Sequence, residues 1–369
     1  MFNKDVLLKR NQKIIDVVMK QIEDTCPDAI DLVGIGGSFC NGDIYDKSDL
    51  DLVIIANDVE KARSICKCFI LEDVAHDIYV TDWSRFSSMS DYKNPYVTKL
   101  FDLDIIYTKD ESINERYLEL RDTCKNNMSD DELVMNSVRK EASKLSYNYR
   151  LLEETGDMGV ALRLLNKIIA NVEYIIYMIN RSYVKRGVKR IPEEIKGMDK
   201  LPLHFLDTYN IICNCDSLTY IKAGASSFMM DIDELLSEYG IEIEEEYVED
   251  KDDTKLDLTA DNLKGTYEEI YSNWKNKMHH AVDINSNYLS FRTMASCQEF
   301  YDEMSSLFNI PKIELLSRYS PTDLVGNEVV FNEAMEEWKK LYTHVGLEVE
   351  YYDNLEELDK LYEKKGLKI

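Results

Sequence analysis

The sequence predicts an α+β protein: a small mixed sheet with helices over residues 1–110, then a largely α-helical remainder. Three observations carry this. Short apolar runs with strand patterning recur at 30–35, 48–56, 76–81 and 103–107, bounded by Gly, Pro and Asp. From Glu111 onward apolar groups recur three and four residues apart, the repeat of a helix face. At 369 residues and 44% apolar content, the chain can build two or three cores.

Residues 4–24 space Val6, Leu7, Ile14, Ile15, Val17, Val18 and Ile22 as one face of an amphipathic helix. Asp24-Thr-Cys-Pro27 ends it, because proline disfavours helix in the residue before it. Strand one, Ile30 to Ile35, stops at Gly36-Gly37-Ser38, and the glycine loop and a short helix lead to strand two, Ser48 to Ala56. Asn57 caps a second helix over 58–68. His76 to Thr81 alternates as a third strand, with Asp77, Tyr79 and Thr81 on one face, and Leu103 to Tyr107 is a fourth. The polar stretch Ser84 to Tyr96, which contains Pro95, reads as including a loop able to sit over a site. This order suits a mixed sheet with helices on one face.

Ser129-Asp-Asp-Glu132 is a capping-box pattern that opens a long helix to Glu154, which Gly156 breaks. A helix over 158–185 carries a broad apolar stripe, and two more fill 201–239. Residues 242–262 are dominated by Glu and Asp and read as a solvated linker. Further helices are expected at 263–281, 288–308, 328–345 and 354–365. The domains expected are therefore 1–110, a helical 111–241, the linker, and a helical 263–369 to which no chemistry attaches.

Composition excludes several roles. The first residues lack a signal-peptide pattern, and the most apolar stretch, Ile168 to Ile179, is interrupted by Asn171 and Glu173, so a cytoplasmic protein without membrane spans is expected. Cys66-Lys-Cys68 and Cys213-Asn-Cys215 lack zinc or redox spacing, and the five histidines form no ligand pattern. A net charge of −26 opposes nucleic-acid binding, which needs a positive field. The same charge suits steering of a cationic small molecule, although solubility alone also favours acidity.

Chemistry concentrates in residues 34–55, Gly-Ile-Gly-Gly-Ser-Phe-Cys-Asn-Gly-Asp-Ile-Tyr-Asp-Lys-Ser-Asp-Leu-Asp-Leu-Val-Ile-Ile. Asp49 and Asp51, two apart on a strand, leave one face while Leu50, Leu52 and Ile54 leave the other. Glycines at the turn leave backbone N–H groups open to a polyphosphate. A phosphate cradle facing two carboxylates able to hold Mg²⁺ equips a chain for reaction at a nucleoside triphosphate.

Gly37-Ser38, Gly42, Ser48 and Asp49-Leu-Asp51-Leu, in this order and spacing, resemble the signature of the polymerase-beta-like nucleotidyltransferases. The likeness is to the small-molecule (aminoglycoside- and lincosamide-type antibiotic) and minimal members, and it covers about residues 30–56 firmly and extends to about 110. It implies a nucleotidyltransferase fold for 1–110, ATP or another nucleoside triphosphate as substrate, and two Mg²⁺ ions. It implies that Gly36, Gly37, Ser38 and Ser48 hold the nucleotide, and that Asp49 and Asp51 bind metal. Lys47 either reaches the triphosphate or is simply solvated. A third metal-binding acid is expected on the neighbouring strand, where Asp77 is favoured over Asp104.

A base for the acceptor hydroxyl is expected from the helical part. Periodicity offers Glu141, at the edge of the stripe Val134, Val138, Leu145 and Leu152, or Glu173, in a polar line with Asn166 and Asn180. Either is equally readable as a structural ion pair; Glu141 is preferred. With 24 tyrosines in the chain, none is singled out as a stacking residue. The expected reaction is transfer of AMP to a hydroxyl of a small, cationic acceptor such as an aminoglycoside. A toxin-like or regulatory enzyme acting on protein or tRNA, and a non-catalytic nucleotide-sensing module, are the alternatives.

Overall fold

The computed structural model describes residues 4–202, 204–243, 247 and 254–363. It is an α+β protein with one mixed sheet and a mostly helical second half. The chain begins α1 (Lys4–Thr25), β1 (Ile30–Gly36), α2 (Ser38–Asn41), β2 (Asp51–Ala56), α3 (Val59–Ala62), β3 (Lys67–Leu71) and β4 (Val74–Thr81). It continues α4 (Trp83–Ser90), α5 (Thr98–Phe101), β5 (Asp104–Thr108), α6 (Glu111–Ser129), α7 (Asp131–Glu154) and α8 (Met158–Ile179). The remainder is α9 (Ile191–Lys196), α10 (Phe205–Cys213), α11 (Leu218–Ser237), α12 (Ala260–Leu263), α13 (Thr266–Ile270), a π-helical turn Tyr271–Lys275, α14 (Asn276–Asp283), α15 (Asn287–Phe308), α16 (Leu324–His344) and β6 (Tyr351–Tyr352).

The sheet order is β5-β1-β2-β4-β3-β6, with β2 parallel to β4 and β1 antiparallel to both β2 and β5. Strand β3 lies within and beyond the stretch expected to be helical. Only Val59–Ala62 forms a helix, its N-cap the Asp58 carboxylate, which accepts from Lys61 N–H. Lys67–Leu71 then pairs with β4 through a two-residue turn at Glu72 and Asp73, whose φ values are +49° and +63°. Two left-handed residues are what a tight hairpin needs, but Glu-Asp is a weak sequence signal for it compared with Asn-Gly.

Helices cover both faces of the sheet, not one. Val33, Leu52, Ile54 and Phe69 pack with Ile14, Val18 and Ile22 of α1. Leu32, Val53, Ile55 and Ile70 face the other way, into a core that continues through Phe86 and Leu100 to the helical half. The apolar runs 32–35 in β1 and 52–56 in β2 are continuous because those strands are buried on both sides. The stretch 84–96 is also different from expectation: α4 is capped by the Asp82 carboxylate and buries Trp83 and Phe86, and Tyr92 follows it into the core. It is a wall of the core, not a lid.

Helix α7 starts where expected, although Asp130 rather than Ser129 is its cap, accepting from Leu133 N–H. The described part of the expected C-terminal region, 263–363, returns to the sheet. Strand β6 pairs parallel with β3, and buried Leu358 and Leu361 pack in the α1 layer. Of the expected acidic linker, 244–246 and 248–253 lie outside the described residues, as does the end of the last expected helix. No helix among the described residues is long and apolar enough to cross a membrane, and all eight cysteines are free thiols.

Candidate active site

Ladder pairing places Asp51 between Gly36 on β1 and Asp77 on β4, so Asp51 and Asp77 stand side by side on one face of the sheet. Asp49 lies in the extended lead into β2. That lead is pinned from the opposite face: Leu50 N–H donates to His76 Nδ1 at 2.9 Å, and the buried Arg10 guanidinium donates to the Ser48 carbonyl. Gly37 has φ +68°, and a Cβ there would sit 1.8 Å from Asp51 Oδ2. The glycine is required by backbone hand and by contact with the acid it accompanies. Ser38 Oγ, beside it, is buried with no hydrogen-bond partner among the described residues.

The carboxylates disturb one another. Burial, then the charge of Asp51, pushes Asp49 up to about 7 and Asp77 up to about 6. Lys277 and Arg10 oppose the rise at Asp49, and Lys99 opposes it at Asp77. Lys277 arrives from the far end of the chain. The π-helical turn sets Ser272 Oγ 3.4 Å from Asp49 Oδ2, and Lys277 Nζ donates to the Asn273 carbonyl at 2.7 Å. Burial lowers the lysine's affinity for its proton, with Asp49 and Asp51 acting against that effect. π-Turns inserted between α-helices commonly mark functional positions.

The donor set is all oxygen and anionic, the chemistry of a hard divalent cation. Among the described residues, however, no three His, Cys, Asp or Glu side chains are arranged to hold one ion together. The expected three-carboxylate set shares a face without converging. Mg²⁺ keeps several waters and takes one or two carboxylates plus substrate phosphates. Asp51 with one neighbouring carboxylate therefore fits such an ion.

The other expected residues fall elsewhere. Ser48 is fully buried and its Oγ accepts from Tyr45 N–H at 2.8 Å, so it shapes the loop instead of facing a nucleotide. Gly36 is buried in the ladder against Asp51. Lys47 is half-buried in the loop. Asp104 is exposed and pairs with Ile35, whose side chain packs with the α1 layer, so the rival to Asp77 leaves the opposite face. Glu141 is engaged at both oxygens, by Lys144 Nζ at 2.6 Å and Asn171 Nδ2 at 2.9 Å. Glu173 is buried against Arg292 Nη2 at 2.9 Å and Tyr209 OH at 2.6 Å, joining α8 to α15 and α10. Both acids are structural partners within the helical core.

A cleft of about 970 Å³ opens between β3–β4 and the C-terminal region, and Asp77, Tyr79, Ser272 and Asn273 line it. Its acids, Glu60, Asp77, Asp261, Glu268, Glu269, Glu348 and Glu350, outnumber its bases, Arg63, Lys67 and Lys264. Glu269 of α13 lies close enough to raise Asp77 by its charge, and burial among the cleft walls raises its own pKa. Ser272, Lys277 and Glu269 have no motif in the sequence; they sit in an ordinary helical stretch, 266–283, and only the return of the chain to the sheet brings them in.

No family model and no curated protein matches the chain. Among solved structures, it is similar to a nucleotidyltransferase-like protein from Exiguobacterium sibiricum, with 11% identity and a TM-score of 0.36 over 75% of this chain and 87% of that one. At that distance the functional reading rests on the site itself.

Proposed function

We propose that the chain is a Mg²⁺-dependent nucleotidyltransferase that moves a nucleoside monophosphate, AMP from ATP, onto a hydroxyl of a small cationic acceptor and releases pyrophosphate. The observation that carries this reading is Asp51 packed on Gly37, with Asp77 at its side and the unpartnered Ser38 hydroxyl next to the bend. A buried hydroxyl without a partner is costly unless a ligand completes it. The Ser38 Oγ–H donates to a phosphate oxygen, and the loop holds the chain of phosphates in line. Asp49 and Asp51 are the carboxylates that would hold Mg²⁺, which supplies charge neutralisation at the phosphoryl oxygens and the leaving pyrophosphate.

The acceptor oxygen bonds to the α-phosphorus as the bond from that phosphorus to the bridging oxygen breaks, and pyrophosphate leaves with the electron pair. Glu269 takes the hydroxyl proton, in place of Glu141 and Glu173, whose oxygens are already engaged. The excess of carboxylates around the cleft favours an acceptor with amino groups, and aminoglycosides are the class the sequence resemblance implies. Incubation with each nucleoside triphosphate, Mg²⁺ and a panel of aminoglycosides and lincosamides tests the reading. Pyrophosphate release with at least one pair, reduced at least about a hundredfold in Asp51→Asn, is expected. Silence across the panel, or release untouched by the substitution, counts against it.

A further inference from the structure

The segment 184–190, Val-Lys-Arg-Gly-Val-Lys-Arg, places Lys185, Arg186, Lys189 and Arg190 within six residues of a chain whose net charge is −26. It links α8 to α9 and lies against the glycine loop. Asn41 Nδ2 donates to the Lys185 carbonyl at 3.0 Å. Asp43 of the same loop is enclosed by the segment, its side chain only 12% exposed. Lys189 Nζ stands 2.8 Å from Asp43 Oδ2 and donates to the Asp43 carbonyl at 3.0 Å. Arg190 grips the carboxylate as a fork, Nε and Nη2 reaching Oδ1 at 3.0 and 2.8 Å, and its Nη1 also reaches Glu193 at 2.7 Å.

An arginine fork with a lysine beside it matches phosphate oxygens as well as carboxylate oxygens. The site is also connected to the bend where a polyphosphate would lie. Asp43 N–H donates to the Ser38 carbonyl at 3.2 Å, and Lys189 lies over the Tyr45 ring at 5.0 Å, with His280 stacked on that ring at 4.4 Å. Lys189 is near enough to Lys277 to weaken its hold on a proton.

We propose that Lys189 and Arg190 form a polyphosphate-binding site that the chain's own Asp43 occupies in the free protein and vacates when a polyphosphate enters. The inference rests on the proposed nucleotidyl transfer only for the identity of the polyphosphate. Asp43 then acts as an internal competitor that sets the affinity of the loop for its ligand.

Titration of the full chain with inorganic tripolyphosphate, without divalent metal, by calorimetry tests it. Asp43→Asn should bind about three- to fivefold more tightly than the wild type. Lys189→Ala/Arg190→Ala should bind about tenfold or more weakly. Asp46→Asn, an exposed acid of the same loop with no ion pair among the described residues, removes the same charge and should bind as the wild type does. No binding to the wild type, weaker or unchanged binding in Asp43→Asn, or equal gains in Asp43→Asn and Asp46→Asn, overturns the proposal. Should Asp43→Asn fail to fold, Lys189→Gln alone decides: unchanged affinity contradicts the site, and a loss supports it. Tripolyphosphate binding in the expected order, with no nucleotidyl transfer to any acceptor, would leave this site standing and remove the activity proposed above.

Discussion

At Gly37 a left-handed backbone and a 1.8 Å approach to Asp51 impose the same choice of residue. Gly37→Ala is expected to cost about 1–3 kcal/mol in urea unfolding and to abolish triphosphate binding, because the bend must move away from Asp51. His76 is a second residue whose surroundings dictate its state. Burial, then Arg10, holds its pKa well below the usual value, and its Nδ1 accepts from Leu50. The folded state keeps it neutral while the unfolded chain protonates it near pH 6.5, so its contribution to stability is complete above that pH and lost as pH falls below it. Between pH 6.5 and 5.5 the wild type should lose about 1 kcal/mol more than His76→Asn, whose amide oxygen can still accept from Leu50. Equal slopes in the two proteins would show that the imidazole is not held neutral.

At the scale of elements, the buried pair Glu173–Arg292 fastens α8 to α15. Glu173→Gln removes the ion-pair partner of buried Arg292 and should cost about 3–5 kcal/mol. Glu141→Gln should lower stability less and leave turnover per folded molecule unchanged, whereas a catalytic base would lose turnover at constant stability. What the sequence made legible follows from how local each signal is. Gly37, Ser38, Asp49 and Asp51 lie within fifteen residues, and Asp77 declares its face by alternation, so the placement of Asp51 beside Asp77 could be read directly. Strand β3 could not, since its hairpin turns on Glu72-Asp73. Periodicity gave the burial of Glu141 and Glu173 correctly but is silent on partners, and Asn171 and Arg292 already use their oxygens. Glu269, Ser272 and Lys277 reach the acids by a fold-back of some two hundred residues, which leaves no trace in local pattern.

At the scale of the whole molecule, the C-terminal region extends the sheet and brings Ser272 and Lys277 to Asp49. Strand β6 extends the sheet beyond β3, and Leu358 is fully buried in the α1 layer. Leu358→Ala should therefore destabilise the entire protein by about 2–4 kcal/mol and keep a single calorimetric transition; separate transitions would mean that residues 263–369 fold as an independent unit. The same fold-back places a cation and a serine beside carboxylates that belong to the first 80 residues. Nucleotidyl transfer by the protein is measured most directly as transfer of radiolabel from [α-³²P]ATP to an aminoglycoside acceptor in the presence of Mg²⁺, by wild type and by Asp51→Asn of matched melting temperature. Labelled acceptor is expected with the wild type and a loss of at least about a hundredfold with the variant; equal labelling by the two proteins would rule out nucleotidyl transfer through Asp51.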